Sequence, residues 1–278
     1  MRRPLFRNPA FFLGISLLFA LFSSCGDKGP SNSSPEIRAQ IIKIDSLEQV
    51  LPLTDSLVKP LLYTHVSGLD RLPGREARNK FIAVVLPSVL VAKHEIEERR
   101  KKLITIRDKK IWDQTDSLYF IDMKSRYKGK SMDDMLARIG TLPNSIVLAQ
   151  AAMESGWGQS RIFLEGNNLF GMWSYNKFEP RIAAGKTRKG QKKIYLRSYM
   201  DISQSITHYF EILSKSWAYK GLRQARLETT DPHKLLPHLS NFSERRSAYT
   251  LQLKKVIDQY DLTRYDQYQI DPAYIGLD

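Results

Sequence analysis

The sequence predicts a mainly α-helical fold of the α+β class, with its strands confined to one small hairpin. Three observations carry this reading. Apolar residues recur at i, i+3, i+4 and i+7 through most of the 278 residues, which is the spacing of a helix face. A small-residue run from Pro143 stops at Ser155-Gly156-Trp157-Gly158, as a helix does where glycine follows it. The stretch 175–199 alone loses the helical period and ends in the alternating run Ile194-Tyr195-Leu196-Arg197-Ser198-Tyr199, as a strand does.

Taken in order, residues 1–24 read as an export signal. Arg2, Arg3 and Arg7 precede an apolar run, 9–22, that is short for a membrane-spanning helix. Phe22-Ser23-Ser24-Cys25 resembles a lipoprotein processing site, with Phe22 where Leu is usual. Cys25 is the single cysteine of the chain and has no partner for an intramolecular disulfide. It is expected to become a lipidated amino terminus, a tether that needs no spanning helix. Gly26 rather than an aspartate beside it favours the outer membrane. Residues 25–35, rich in Gly, Ser, Pro and Asn, read as a flexible linker.

Residues 36–98 read as an N-terminal helical accessory segment. Ile41, Ile42, Ile44, Leu47 and Leu51 suit an amphipathic helix, with breaks at Pro52, Pro60 and Pro73. From Arg75 to Lys110 the face formed by Phe81, Val84, Val85, Val89, Leu90 and Ala92 predicts one long helix, or two joined at Pro87. The mixed charges of 95–102 read as its solvated face. Residues 99–262 read as the main domain. Its first short helices are expected over 119–127 and 131–139, with Ser131 as the cap of the second.

The helix that follows carries the chemistry. Pro143 suits a first turn. Ile146, Val147, Gln150, Ala151 and Glu154 fall on neighbouring rows. Glu154 therefore sits in the last turn of a mostly apolar helix. The negative end of the helix dipole and partial burial both disfavour its carboxylate. An acid held protonated near neutral pH is what protonating a leaving-group oxygen requires. A solvated glutamate at a helix end is the plainer alternative.

Beyond it, a hairpin is expected over 175–199 with Gly190 near its turn. Lys186, Arg188, Lys189, Lys192 and Lys193 make that turn basic. They suit a solvated turn or contact with an anionic wall polymer. Asp201 starts a helix faced by Ile202, Ile206, Tyr209, Phe210 and Leu213, two more follow over 216–226 and 232–239, and a last one runs through Leu253, Val256 and Ile257. Residues 263–278 read as a peripheral tail. His208, His233 and His238 lack the spacing of a ligand set and no HExxH occurs, so no metal and no cofactor are expected.

The pair AQAAMESGWGQSRIF (149–163) and NNLFGMW (167–173) resembles the glucosaminidase domain of glycoside hydrolase family 73, and within it the Bax-type proteins. The resemblance extends over about 99–260. It implies a lysozyme-like helical catalytic domain with a β-hairpin lobe along the glycan groove. It also implies hydrolysis of the β-1,4 bond between N-acetylglucosamine and N-acetylmuramic acid in peptidoglycan. Glu154 matches the general acid. FSERRSAY (242–249) is similar to the YSERGxxY stretch of Bax-type proteins, with Phe242 for Tyr and Arg246 for Gly. Tyr249 thereby matches a tyrosine near the reacting sugar. A core aromatic of the last helix is the alternative. The second carboxylate falls to Glu179 or Glu244, unless the acetamido group of the substrate replaces it. Trp157, Asn168, Phe170 and Trp173 are the candidates for glycan contact, and the three aromatics equally suit a core.

Composition narrows the partners. Forty-three Lys and Arg stand against 29 Asp and Glu, a net charge of +14, which favours long anionic partners. Export leaves no case for nucleic acid. GxxxxGK[ST], GxGxxG and GxSxG motifs are absent. The expectation is a monomer on the periplasmic side of a bacterial envelope, with peptidoglycan and a membrane as partners. A lytic transglycosylase and a non-catalytic wall-binding lipoprotein stand as alternatives.

Overall fold

The computed structural model describes residues 36–185 and 193–276. The expected signal, Cys25, the linker and the hairpin-tip residues Lys186, Arg188, Lys189, Gly190 and Lys192 lie outside the described residues. Those described are mainly helical, with small two-stranded sheets. Among them, no helix is long and apolar enough to cross a membrane.

The first segment differs from expectation. Instead of an amphipathic helix over 41–51, the chain forms β1 (Glu36–Ile37), β2 (Gln40–Lys43), a 3-10 turn at Leu47–Gln49, β3 (Leu57–Val58) and β4 (Leu61–Thr64). β2 runs parallel to β4, from Gln40↔Leu61 to Lys43↔Thr64. Adjacent β-branched isoleucines favour an extended backbone. Ser46 then caps the 3-10 turn through a capping box with Gln49.

Helix α1 (Gly74–Asp108) is one element of 35 residues with Pro87 inside it. Pro87 supplies no N–H to the preceding turn, a loss that ordinarily kinks a helix. Here Phe81, Val84, Val85, Leu86 and Val89 are fully buried around it, so packing on all sides holds the turn. The boundary expected between residues 98 and 99 falls within α1, and residues on both sides of it share one hydrophobic core.

α2 (Gln114–Tyr127) and α3 (Met132–Arg138) follow, capped by Asp113 and Ser131. Next come α4 (Asn144–Ser155), α5 (Arg161–Gly166), β5 (Arg181–Ala183) and β6 (Tyr195–Arg197). β5 and β6 pair antiparallel, as the hairpin reading expects. α6 (Ile202–Lys215) starts at its Asp201 cap. α7 (Lys220–Glu228), α8 (Pro232–Leu235) and α9 (Ser247–Gln259) complete the helical part.

α4 is the axis of this arrangement. Residues 144–152 of it are buried without exception, against α1, α9 and a 3-10 turn at Leu262–Gln267. Pro143, one residue ahead of the helix, offers it no side-chain cap. The cap comes from the far end of the chain. Asp266 accepts from the Ser145 N–H at 2.7 Å and from the Ser145 hydroxyl at 2.8 Å. Asn144 donates to the carbonyls of Tyr265 and Tyr268 and accepts from Lys93 at 2.7 Å. Burial raises the Asp266 pKa and lowers that of Lys93.

The expectation of a peripheral tail is therefore corrected. β7 (Gln269–Ile270) pairs with β3, and β8 (Ile275–Gly276) pairs with β1, Glu36 opposite Gly276. A buried helix end needs partners for its free N–H groups, and Asp266 supplies one.

Candidate active site

α4 ends abruptly one residue past Glu154. Gly156, Trp157 and Gly158 all hold positive φ, at 59°, 58° and 80°. Gly156 is the left-handed C-cap, its N–H bonded to the Ala152 carbonyl. At Gly158 the chain grazes the core: a Cβ there would stand 2.7 Å from Leu69 Cδ1 and 3.0 Å from Phe81 Cδ2. The last turn of a buried helix thus meets solvent at the acid, and Glu154 is exposed at its edge.

Behind the acid lies a directional hydrogen-bond chain. Fully buried Tyr209 donates its hydroxyl to Gln150 Oε1. The Gln150 amide donates through Nε2 to the Tyr249 hydroxyl oxygen at 2.9 Å. Tyr249 then has its own proton free to donate, and gives it to Glu154 Oε1 at 2.9 Å. Because Oε1 accepts, the proton of a neutral Glu154 belongs on Oε2, the oxygen left free for a substrate. Tyr249 keeps its proton, since burial and the neighbouring Glu154 carboxylate both raise its pKa.

Three effects compete at Glu154. Crowding by the protein raises its pKa, and this is the largest; the Tyr249 hydrogen bond and the Arg245 charge lower it. The net shift is upward, the direction a general acid needs. It occurs although the side chain reaches water, because the protein around the groove replaces part of the carboxylate's hydration.

The other expected site residues divide sharply. Trp173 is 53% exposed and lies 6.1 Å, ring to ring, from Tyr175, itself 86% exposed. Trp157 instead packs edge-on against Phe81 at 5.5 Å and Tyr260 at 5.0 Å. Phe170 is buried and stacked on Tyr209 at 4.4 Å. These two of the three aromatics serve the core. Asn168 is buried as well. It donates to the Met172 and Arg197 carbonyls and accepts from the Met172 N–H, which ties the 167–173 turn to β6. Asn168→Ala is expected to leave these groups unpaired and to lower stability by about 1–3 kcal/mol, measured by urea denaturation.

Glu179 faces Arg197 of β6 across 2.7 Å, while its Oε1 and the Arg197 Nε stay buried without a partner. Glu244 is exposed on the loop before α9 and makes no hydrogen bond or ion pair among the described residues. Its neighbour Arg245 bonds to Gln252 instead, at 2.7 Å. Next to them Arg246 holds φ 51° and ψ −119°, with the Ala248 N–H closing onto the Arg245 carbonyl at 3.1 Å. This is the first central position of a type II′ turn, where glycine is the unstrained residue. The resemblance drawn above has glycine at this position. Arg246→Gly is expected to raise stability by about 1 kcal/mol, read as a higher melting temperature.

Gln150 and Tyr209, which complete the buried hydrogen-bond chain behind Glu154, are the members of this arrangement that sequence reasoning missed. A signal was present: a glutamine on an otherwise apolar buried helix must find hydrogen-bond partners. Among the described residues no group of three or more His, Cys, Asp or Glu is set to hold a metal ion. His208 bonds to the Tyr199 hydroxyl at 2.6 Å, and burial lowers its pKa to about 4.

Comparison with known proteins finds a match over the segment that holds Glu154. Residues 129–262 match the glucosaminidase family, described as mannosyl-glycoprotein endo-beta-N-acetylglucosaminidase. The chain is 29% identical over 169 residues to Protein bax of Escherichia coli (strain K12), covering 58% of this chain and 59% of that one. It is 24% identical over 149 residues to the exo-glucosaminidase LytG of Bacillus subtilis (strain 168), covering 48% and 49%. The chain thus spans about half the length of the curated relatives it matches. Among solved structures, the glycoside hydrolase domain of Salmonella typhimurium FlgJ is similar at 25% identity and a TM-score of 0.37, over 51% of this chain and 89% of that one. The catalytic domain of the Listeria monocytogenes autolysin Auto is similar at 20% identity and a TM-score of 0.37, over 61% and 96%. Glu154, its tyrosine and the turn that exposes them lie inside residues 129–262, the segment of this chain that matches the glucosaminidase family.

Proposed function

We propose that this protein is a peptidoglycan N-acetylglucosaminidase, cutting the β-1,4 bond between N-acetylglucosamine and N-acetylmuramic acid. The observation that supports it best is the Glu154 carboxyl, shifted toward its protonated form and held by Tyr249, within the segment that matches the glucosaminidase family. In this reading Glu154 passes its Oε2 proton to the glycosidic oxygen as the bond from C1 breaks. Water adds its hydroxyl to C1, and the remaining proton restores Glu154. N-Acetylglucosamine becomes a reducing end. Support for the positive charge at C1 comes from Glu179, from Glu244 or from the acetamido oxygen of the substrate. Trp173 and Tyr175 offer a platform for a sugar ring. The protein works as a monomer in the bacterial envelope, facing the periplasm. Lipidated Cys25 ties it to a membrane, with the outer membrane as the favoured one.

Digestion of purified sacculi by protein starting after Cys25 tests the reading, with Glu154→Gln alongside. Mass spectrometry is expected to find new reducing N-acetylglucosamine ends that vanish in the variant. 1,6-Anhydro muramic ends would replace this reading with a lytic transglycosylase. Sacculus binding without released fragments would replace it with a wall-binding role.

A further inference from the structure

A second charged site lies at the edge of the family-matched segment, with its three arginines outside it. Arg75 and Arg78 of α1 and Arg264 of the 262–267 turn line a pocket of about 480 Å³, together with Asn79, Gln259 and Asp261. Two of the guanidinium groups are held over aromatic rings. Arg78 sits 4.8 Å from the Tyr260 centroid. Arg264 sits 4.7 Å from that of Tyr265 and donates to its hydroxyl at 2.7 Å. Arg75 is exposed and makes no hydrogen bond or ion pair among the described residues. Three cations thus face one carboxylate, Asp261, which forms no ion pair among the described residues. Such a pocket is short of negative charge. Planar guanidinium forks match a planar two-oxygen anion, and Asn79 and Gln259 add amide groups suited to a peptide backbone.

The pocket is joined to the reaction centre by two rings. Arg78 lies over Tyr260, Tyr260 meets Trp157 edge-on at 5.0 Å, and Trp157 follows the C-cap of the helix that carries Glu154. We infer that this pocket binds carboxylates of the short peptides attached to N-acetylmuramic acid, beside the bond being cut. The inference rests on the peptidoglycan reading given above. An extended peptide covers about 3.3–3.6 Å per residue, so a stem of about four residues reaches well past two side chains. Arginine pairing would then select glycan that still carries its peptides.

Calorimetric titration of the full chain tests this with three probes: a synthetic stem tetrapeptide, the same peptide with its carboxylates amidated, and glycerol phosphate. The tetrapeptide is expected to bind. Amidation, Arg75→Glu and Arg264→Ala are each expected to weaken it about tenfold or more, with melting temperatures held as the check on folding. Glycerol phosphate is expected to bind more weakly than the tetrapeptide. Absent peptide binding, indifference to amidation, or indifference to both substitutions would overturn the assignment, and tighter binding of glycerol phosphate would move the pocket to phosphate. Cleavage of purified sacculi, which keep their peptides, by the native protein is read separately. Cleavage without peptide binding sinks the pocket alone, whereas peptide binding without cleavage sinks the hydrolase reading and leaves the pocket.

Discussion

Glu154→Gln is expected to lower kcat/KM on sacculi by about 10²–10⁴-fold, the range that a general acid contributes. The substitution keeps the shape of the side chain. Its amide oxygen still accepts from Tyr249, so the buried chain from Tyr209 through Gln150 stays satisfied. Melting temperature and sacculus binding are therefore expected to match the native protein. The pH profile provides the companion measurement. Activity requires the protonated acid and falls as pH rises through the Glu154 pKa. Since the surrounding protein raises that pKa, the alkaline limb should lie above the range of an ordinary glutamate. A variant that retained most of its activity, or a limb in the ordinary range, would remove Glu154 from its role.

Tyr249→Phe is the second large effect expected, about ten- to a hundredfold on kcat/KM. A hydrogen bond to a charged group contributes about 1.5–3 kcal/mol. The bond to Glu154 favours the carboxylate and so lowers its pKa. Removing the hydroxyl must move the alkaline limb upward, even as the rate at the optimum drops because Oε1 and Oε2 are no longer distinguished. The same change leaves the Gln150 Nε2 without an acceptor in a buried site. A modest fall in stability should accompany it. A downward shift of the limb, or an unchanged one, would show that Tyr249 does not act on the protonation of Glu154. Gln150→Leu separates the two contributions: it keeps Tyr249 and removes what orients it, while also leaving the buried Tyr209 hydroxyl without its acceptor.

These residues were unequally legible. The placing of Glu154 was readable because everything that defines it is local: an apolar helix, a last turn, two glycines. Tyr249 lies 95 positions away and was readable only through a resembling motif. Residue type left Trp157 and Phe170 open between sugar contact and core. An aromatic next to a candidate acid looks the same in sequence whether its ring faces a sugar or faces Phe81 and Tyr209. Only the left-handed turn at 156–158, which throws the Trp157 ring against Phe81 and Tyr260, decides the matter. The strands of 36–64 were misread for a related reason. β2 is stabilised by β4, and a pairing partner about twenty residues away leaves no periodic trace. Pro87 left two readings open, one long helix or two, and the structure holds the first. Its local rule predicts a kink or break, and burial of the surrounding side chains overrides the rule.

The capping of α4 from a distance bears on how the molecule is made. A ribosome releases Glu154 and its helix more than a hundred residues before Asp266 and the strand that closes on Glu36. Contacts so far apart in sequence pay their loop-closure entropy before they return any stabilisation, and so form late. Until the last residues are translated, the helix bearing the acid lacks its Asp266 cap and β1 lacks its partner. The nascent chain therefore carries the Glu154 carboxyl on an unfinished support. Interrupted synthesis near residue 262 would release a polypeptide that contains every residue of the family segment without the ties that hold α4 in place.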